Sequence, residues 1–395
     1  MLDPFPPPPE WLRAYTAPLA EYLSLPLLSL HVHEVVLFFL LYQFVQSVLS
    51  PLLSKALFPK IYPHFNRRNK LNWDVHVVSL VQSTLINAVA LWVMFADDER
   101  RSMTWGERVL GYSGACGLVQ AMATGYFIWD LIVCTVNIKD FGVGLFLHAV
   151  SALAVYSFGF RPFVVPYSPV FILYELSTPF LNFHWFFDKV NMTGSRAQWY
   201  NGMLLLGVFF SCRLIWGIWQ SVLVFKDIFR VFAWIREIPS TMTTYEIQSA
   251  LFGDRDVNLC LDETCINANA QISAFISYVS KDSVPLWLVA IYLSSNLTLN
   301  SLNVYWFTKM IDAVMKRFRD VPSKAAKETA SSVSKTSEKE ANGIVLDAAA
   351  ALKEEEQRKG LLLNEGLKES LDDNKAQNVS RMPNGQSYGA RRRKA

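Results

Sequence analysis

Cysteine is scarce in this chain, five in 395 residues. Cys116, Cys134 and Cys212 fall inside apolar stretches, where a thiol packs as a small hydrophobe. There is no CxxC pair, no HExxH and no glycine-rich phosphate loop, which leaves a zinc or nucleotide enzyme without support. The formal net charge is only +3, and the basic residues sit beside apolar spans and in the C-terminal part without a recognition motif, so nucleic acid is excluded as a partner. The N-terminus opens on prolines and acids in place of a basic n-region, so no cleavable signal peptide is expected and the first span serves as its own insertion signal.

Apolar residues, by contrast, make up 52% of the chain and aromatics 14%, although the last part is very polar. That combination predicts an all-α, multi-pass membrane helix bundle with a disordered C-terminal tail. About seven spans are expected, near 35–53, 75–95, 110–136, 141–160, 163–183, 203–225 and 284–307. Residues 1–34 read as a Pro/Leu-rich segment, with Pro6 to Pro9 extended and the run 19–30 interfacial because Glu21 and Pro26 interrupt it. Residues 35–71 hold the first span and a basic loop, and 319–395 are a charged, disordered tail. Between 226 and 283 hydropathy drops: residues 227–237 interleave aromatics with Arg230 and Arg236, as an interfacial helix does, and a polar insert follows over 238–283.

Lysine and arginine placement sets the orientation. The connection after the first span and the segment after the last are basic, so both are expected in the cytosol, with the N-terminus lumenal. Lys226, Arg230 and Arg236 oppose this, partly offset by Asp227 and Glu237. The insert is then lumenal, and a disulfide between Cys260 and Cys265 is expected there.

Ionisable groups inside the spans mark candidate sites, since each costs about 2.5–3.5 kcal/mol at a helix centre. Asp130, His148 and Glu175 fall on three consecutive spans. By helical spacing Tyr126 shares a face with Asp130, Ser151 with His148, and Asn182 with Glu175, so three stripes would converge on one polar pocket. Arg213 in the sixth span either pairs with Glu175 or Asp130 or binds a lipid or acyl-CoA phosphate. The alternative for Asp130, His148, Glu175 and their stripes is hydrogen bonding between helices, the reading also given to Asn296, Asn300 and Asn303. A second stripe runs along His76, Ser79, Ser83 and Asn87. His31 and His33 lie on different helix faces with no third ligand nearby in sequence, so no metal is expected and they read as solvated residues at a helix start.

NWDVHVVSLVQSTL (72–85), ATGYFIWDL (123–131), LFLHAVSALAV (145–155), YELSTPFLNFHW (174–185) and LNVYWFTKMI (302–311) together resemble the TLC domain family. The resemblance covers about 72–318, interrupted by the insert, and is closest to the smaller TLC-domain proteins outside the ceramide synthase branch, in a fungal form. It implies six membrane helices around a central cavity, preceded here by one more. It also implies residence in the endoplasmic reticulum and a role in acting on, moving or sensing lipids. Ceramide synthases carry adjacent histidines for acyl transfer from acyl-CoA, where this chain has Leu147, His148 and Ala149. With one histidine, the expectation is a lipid-binding protein of lipid homeostasis without a cofactor. The other reading is an acyltransferase using His148 as base, with Asp130 and Glu175 assisting and acyl-CoA as substrate.

Overall fold

The computed structural model describes residues 1–161, 163–237 and 285–328. The expected insert, Cys260, Cys265 and most of the tail lie outside the described residues. All regular structure among the described residues is helical. The helices are α1 (Glu10–Tyr22), α2 (Leu28–Phe44), α3 (Ser50–Leu57), α4 (Arg67–Ala96), α5 (Asp98–Ser102), α6 (Trp105–Leu110), α7 (Gly114–Val136), α8 (Ile138–Phe158), α9 (Ser168–Phe171), α10 (Thr178–Lys189), α11 (Arg196–Phe209), α12 (Gly217–Glu237) and α13 (Leu286–Glu328).

Among the described residues, four helical stretches are long and apolar enough to cross a membrane: Leu28–Leu57, Arg67–Ala96, Trp105–Val136 (α6 and α7 together) and Arg196–Glu237. Each has 30 or more residues. At 1.5 Å per residue that spans ~45 Å, more than the ~30 Å hydrocarbon core. α8, whose apolar part is His148–Phe158, and α13 pack among them. The chain is therefore a membrane protein. Starts follow capping chemistry: Asn66 accepts from the Asn69 amide (2.8 Å) ahead of α4, Ser195 from the Gln198 amide (3.2 Å) ahead of α11, and Thr104 and Glu107 close a capping box on α6.

The centre of the bundle is α7, packed against α2, α4 and α8 and buried along most of its length. It approaches α2 closely at Gly125, where a side-chain carbon would stand 2.7 Å from the Val35 carbonyl oxygen. Only glycine allows that approach. Cys116, Cys134 and Cys212 are free and buried.

Two of the long stretches contain a π-helical turn, Val45–Leu49 and Phe210–Trp216. The first precedes Pro51, which has no amide hydrogen for the usual helical bond. The second inserts an extra residue beside Arg213, rotating the helix beyond it by about 100° relative to an uninterrupted one.

Three expectations are corrected. The span expected at 163–183 is not one helix but a series of short pieces: a 3-10 turn (Val165–Tyr167), α9, a second 3-10 turn (Ile172–Ser177) and α10. Pro166, Pro169 and Pro179 each sit in the first turn of a piece, where the missing amide is harmless, and the last two each stop the 3-10 turn just before them. The helix expected at 227–237 is not separate from the sixth span but continuous with it, as the end of α12. Asp227 does not offset the neighbouring basic residues. It is buried, 2.6 Å from the Arg108 Nε and 2.8 Å from the Tyr167 hydroxyl that donates to it. Finally, the run 19–30 divides between α1 and α2 at Pro26. α1 turns Trp11, Tyr15, Leu19 and Tyr22 outward, a face suited to the membrane interface.

Candidate functional site

The broken segment has a structural use. Irregular backbone is tolerated at membrane depth where it is buried in protein or lines a cavity, and this segment forms one wall of a cavity of about 80 Å³. A water needs roughly 10–15 Å³ by the same measure, so several waters or part of a slender chain would fit. The segment contributes Val164, Tyr167, Phe171, Tyr174 and Glu175. Facing walls come from Gln120 and Phe127 of α7, His148 and Tyr156 of α8, Arg213, and Asn296, Asn303 and Trp306 of α13. Val164 has a left-handed backbone (φ 55°), rare for a β-branched residue, held by its amide donating to the Val109 carbonyl at 2.6 Å. The strain is stored in the cavity wall.

Aromatic rings make much of the lining. Phe127 stacks on Tyr156 (centroids 5.3 Å), Phe163 meets Tyr292 edge-on (5.6 Å), and Trp306 stands 6.4 Å from the His148 ring. Gln120 donates to the Tyr156 carbonyl, turning its amide toward α8.

Charge enters the cavity through Arg213. Its guanidinium lies 3.7 Å from the Glu175 carboxylate and donates to Ser177 Oγ (3.1 Å), Thr178 Oγ1 (3.3 Å) and Asn303 Oδ1 (3.2 Å). Thr178 in turn donates to Glu175 (2.6 Å). A buried pair survives when further hydrogen bonds complete it, as these do. His148 is on the same wall, and its Nδ1 has no hydrogen-bond partner among the described residues.

Of the residues expected in one pocket, the cavity brings together His148, Glu175 and Arg213. Asp130, Tyr126, Ser151 and Asn182 are not among its walls. Asp130 accepts a weak bond from Cys134 one turn along α7 (3.6 Å), while Tyr126 stacks on Trp129 and meets Tyr42 edge-on. Asn182 joins α10 to α4: it accepts from His76 Nδ1 at 2.7 Å and donates to Ser79 Oγ at 3.1 Å. Part of the polar stripe on α4 thus meets α10, while Ser83 and Asn87 bond back to their own helix. The asparagines of α13 divide. Asn300 bonds across the bundle, accepting from Tyr174 (3.1 Å) and donating to Ser221 (2.8 Å), whereas Asn303 anchors Arg213. Gln120, Tyr156 and Tyr292 were missed, because an aromatic or amide on an apolar span gives no signal of which side it faces.

An all-helical membrane bundle with a polar pair inside a largely aromatic cavity defines the class. The TLC domain model matches residues 72–312. An uncharacterized TLC domain-containing protein of Schizosaccharomyces pombe is 31% identical over 78% of this chain and 87% of its own. Topoisomerase I damage affected protein 4 of Saccharomyces cerevisiae is 28% identical over 75% of this chain and 89% of its own. Human TLC domain-containing protein 4 is 30% identical over 39% of this chain and 60% of its own. No solved structure matches. The chain belongs to the TLC domain family.

Proposed function

We propose that this protein binds a membrane lipid in the cavity between α7, α8 and α13 and takes part in lipid homeostasis, in the endoplasmic reticulum membrane with its tail in the cytosol. The supporting observation is the cavity itself, with mostly apolar and aromatic walls and a few convergent polar groups, the usual composition of a small-molecule site. Arg213 and Glu175 supply a polar end for a headgroup, and the aromatic walls take hydrocarbon. The test is mass spectrometry of lipids retained by the full chain purified in mild detergent. One lipid class should be enriched, and Ala152→Trp, which fills the cavity, should deplete it with helix content unchanged. Bulk membrane composition in both samples would overturn the proposal.

A second reading uses the same wall. The unpartnered Nδ1 of His148 is free to take a proton from an amine as its nitrogen attacks an acyl-CoA thioester and the CoA thiolate leaves. Incubation with a long-chain acyl-CoA and a long-chain amine tests it. Amide product lost in His148→Ala supports catalysis, and no product with the intact protein removes it.

A further inference from the structure

At the start of α2, away from the cavity, three ligand-type side chains meet. His31 Nδ1 lies 2.9 Å from Glu34 Oε2 and 3.2 Å from Asp3 Oδ2. The metal-ligating atoms of all three lie within 4.8 Å of one another. His31 is not the solvated helix-start residue expected from the sequence, for it is 1% exposed, and Glu34 beside it is 0% exposed. The missing third ligand comes from the N-terminal segment. That segment folds back over α2 and α7, with the Ser113 hydroxyl and Ala115 amide donating to the Met1 carbonyl and Phe5 packing 6.2 Å from Phe38.

The cluster is short of positive charge. Two carboxylates face one imidazole, and among the described residues no lysine or arginine pairs with either. Glu34 Oε1 is buried without a hydrogen-bond partner; His33 Nε2 stands 3.7 Å from it and is itself 2.9 Å from the Pro6 carbonyl. Buried carboxylates are normally paired or bound to metal. We propose that Asp3, His31 and Glu34 bind a divalent transition-metal ion of the zinc class. Its two charges balance both carboxylates, and one imidazole nitrogen with carboxylate oxygens is a donor set that zinc accepts. Ligand atoms of a tetrahedral zinc stand about 3.3–3.5 Å apart for bonds of 2.0–2.15 Å; the two spacings from His31 Nδ1, 2.9 and 3.2 Å, are near this, and the third pair lies within 4.8 Å. With Nδ1 on the metal, Nε2–H donates to the Tyr112 hydroxyl at 2.6 Å, the outer hydrogen bond that fixes a metal-bound histidine. Gly117 leaves the space the ring occupies, since a side-chain carbon there would collide with His31 Nε2. The ion would fasten the N-terminal segment to α2.

The test uses the full chain in detergent, stripped with chelator and titrated with Zn²⁺, reading bound zinc by elemental analysis and the melting temperature alongside. The expected result is about one zinc per chain, a higher melting temperature on binding, and at least tenfold weaker binding in Asp3→Asn. His33→Gln should bind as the unaltered protein does. Asp3→Asn is the decisive variant because His31→Gln, in a fully buried position, is liable to misfold. No saturable zinc in the unaltered protein, or equal binding in Asp3→Asn, would overturn the site.

Discussion

Arg213 and Glu175 face each other at 3.7 Å across the cavity wall, one on a π turn and the other on a 3-10 turn. Neither charge is placed by a regular α-helix. The departures from helical geometry bring them together.

Removing one partner leaves the other charge largely buried and without its counter-ion. Arg213→Met should therefore lower stability by about 3–5 kcal/mol, and the double variant Arg213→Met with Glu175→Gln should recover most of it. Thermal unfolding in detergent measures both. A single variant as stable as the unaltered protein would mean that the pair is not coupled.

The carboxylate of Asp97 accepts from Ser113 (2.6 Å), the Met1 amine (2.9 Å) and the Arg100 amide (3.1 Å). Burial alone would raise its pKa, but the hydrogen bonds from Ser113 and the Met1 amine outweigh burial and hold it below the ordinary 3.8. A depressed carboxylate stabilises the fold fully above its ordinary value and loses that contribution as pH falls through the folded one. Asp97→Asn should cost about 1.5–3 kcal/mol at neutral pH and flatten the acid limb of the stability profile. An unchanged acid limb would assign it to other groups.

Asp227 carries a second tie, binding Arg108 of α6 and Tyr167 of the broken segment at once. Asp227→Ala should loosen both, seen as faster hydrogen exchange in 105–110 and 165–171 relative to α7. Equal exchange in the two proteins would assign that tie to packing.

Asn191-Met192-Thr193 is a formal glycosylation sequon that closes α10, with Asn191 in a left-handed conformation (φ 60°). The proposed orientation places this turn in the cytosol, so Asn191 should carry no glycan, and neither should Asn378. Endoglycosidase treatment and mass spectrometry check this, and a glycan at either position would invert the topology.

Much of the bundle was legible in the sequence because hydropathy over twenty residues is a strong signal and the cost of a buried charge singles out Arg213 and Glu175. Facing is harder. Asp130 and Tyr126 share a side of α7 as their spacing implies, but nothing in one helix's pattern says which neighbour that side meets. The break at 163–183 did carry a signal in its three prolines, overridden by a continuous apolar run. The meeting of Asp3 with His31 left no local trace, since it depends on how the N-terminal segment packs.

The proline-broken segment also bears on how the protein is made. Its short pieces leave amides and carbonyls that lipid would not satisfy, so unlike α4 it is not a span that lipid alone could hold. It is tied instead to α12, whose Asp227 receives the Tyr167 hydroxyl bond, and to α13, whose Asn300 receives the Tyr174 one, both far later in the sequence. Assembly of this chain should therefore be a late, collective step, and truncation before α13 should leave residues 163–177 open to protease while α4 stays protected.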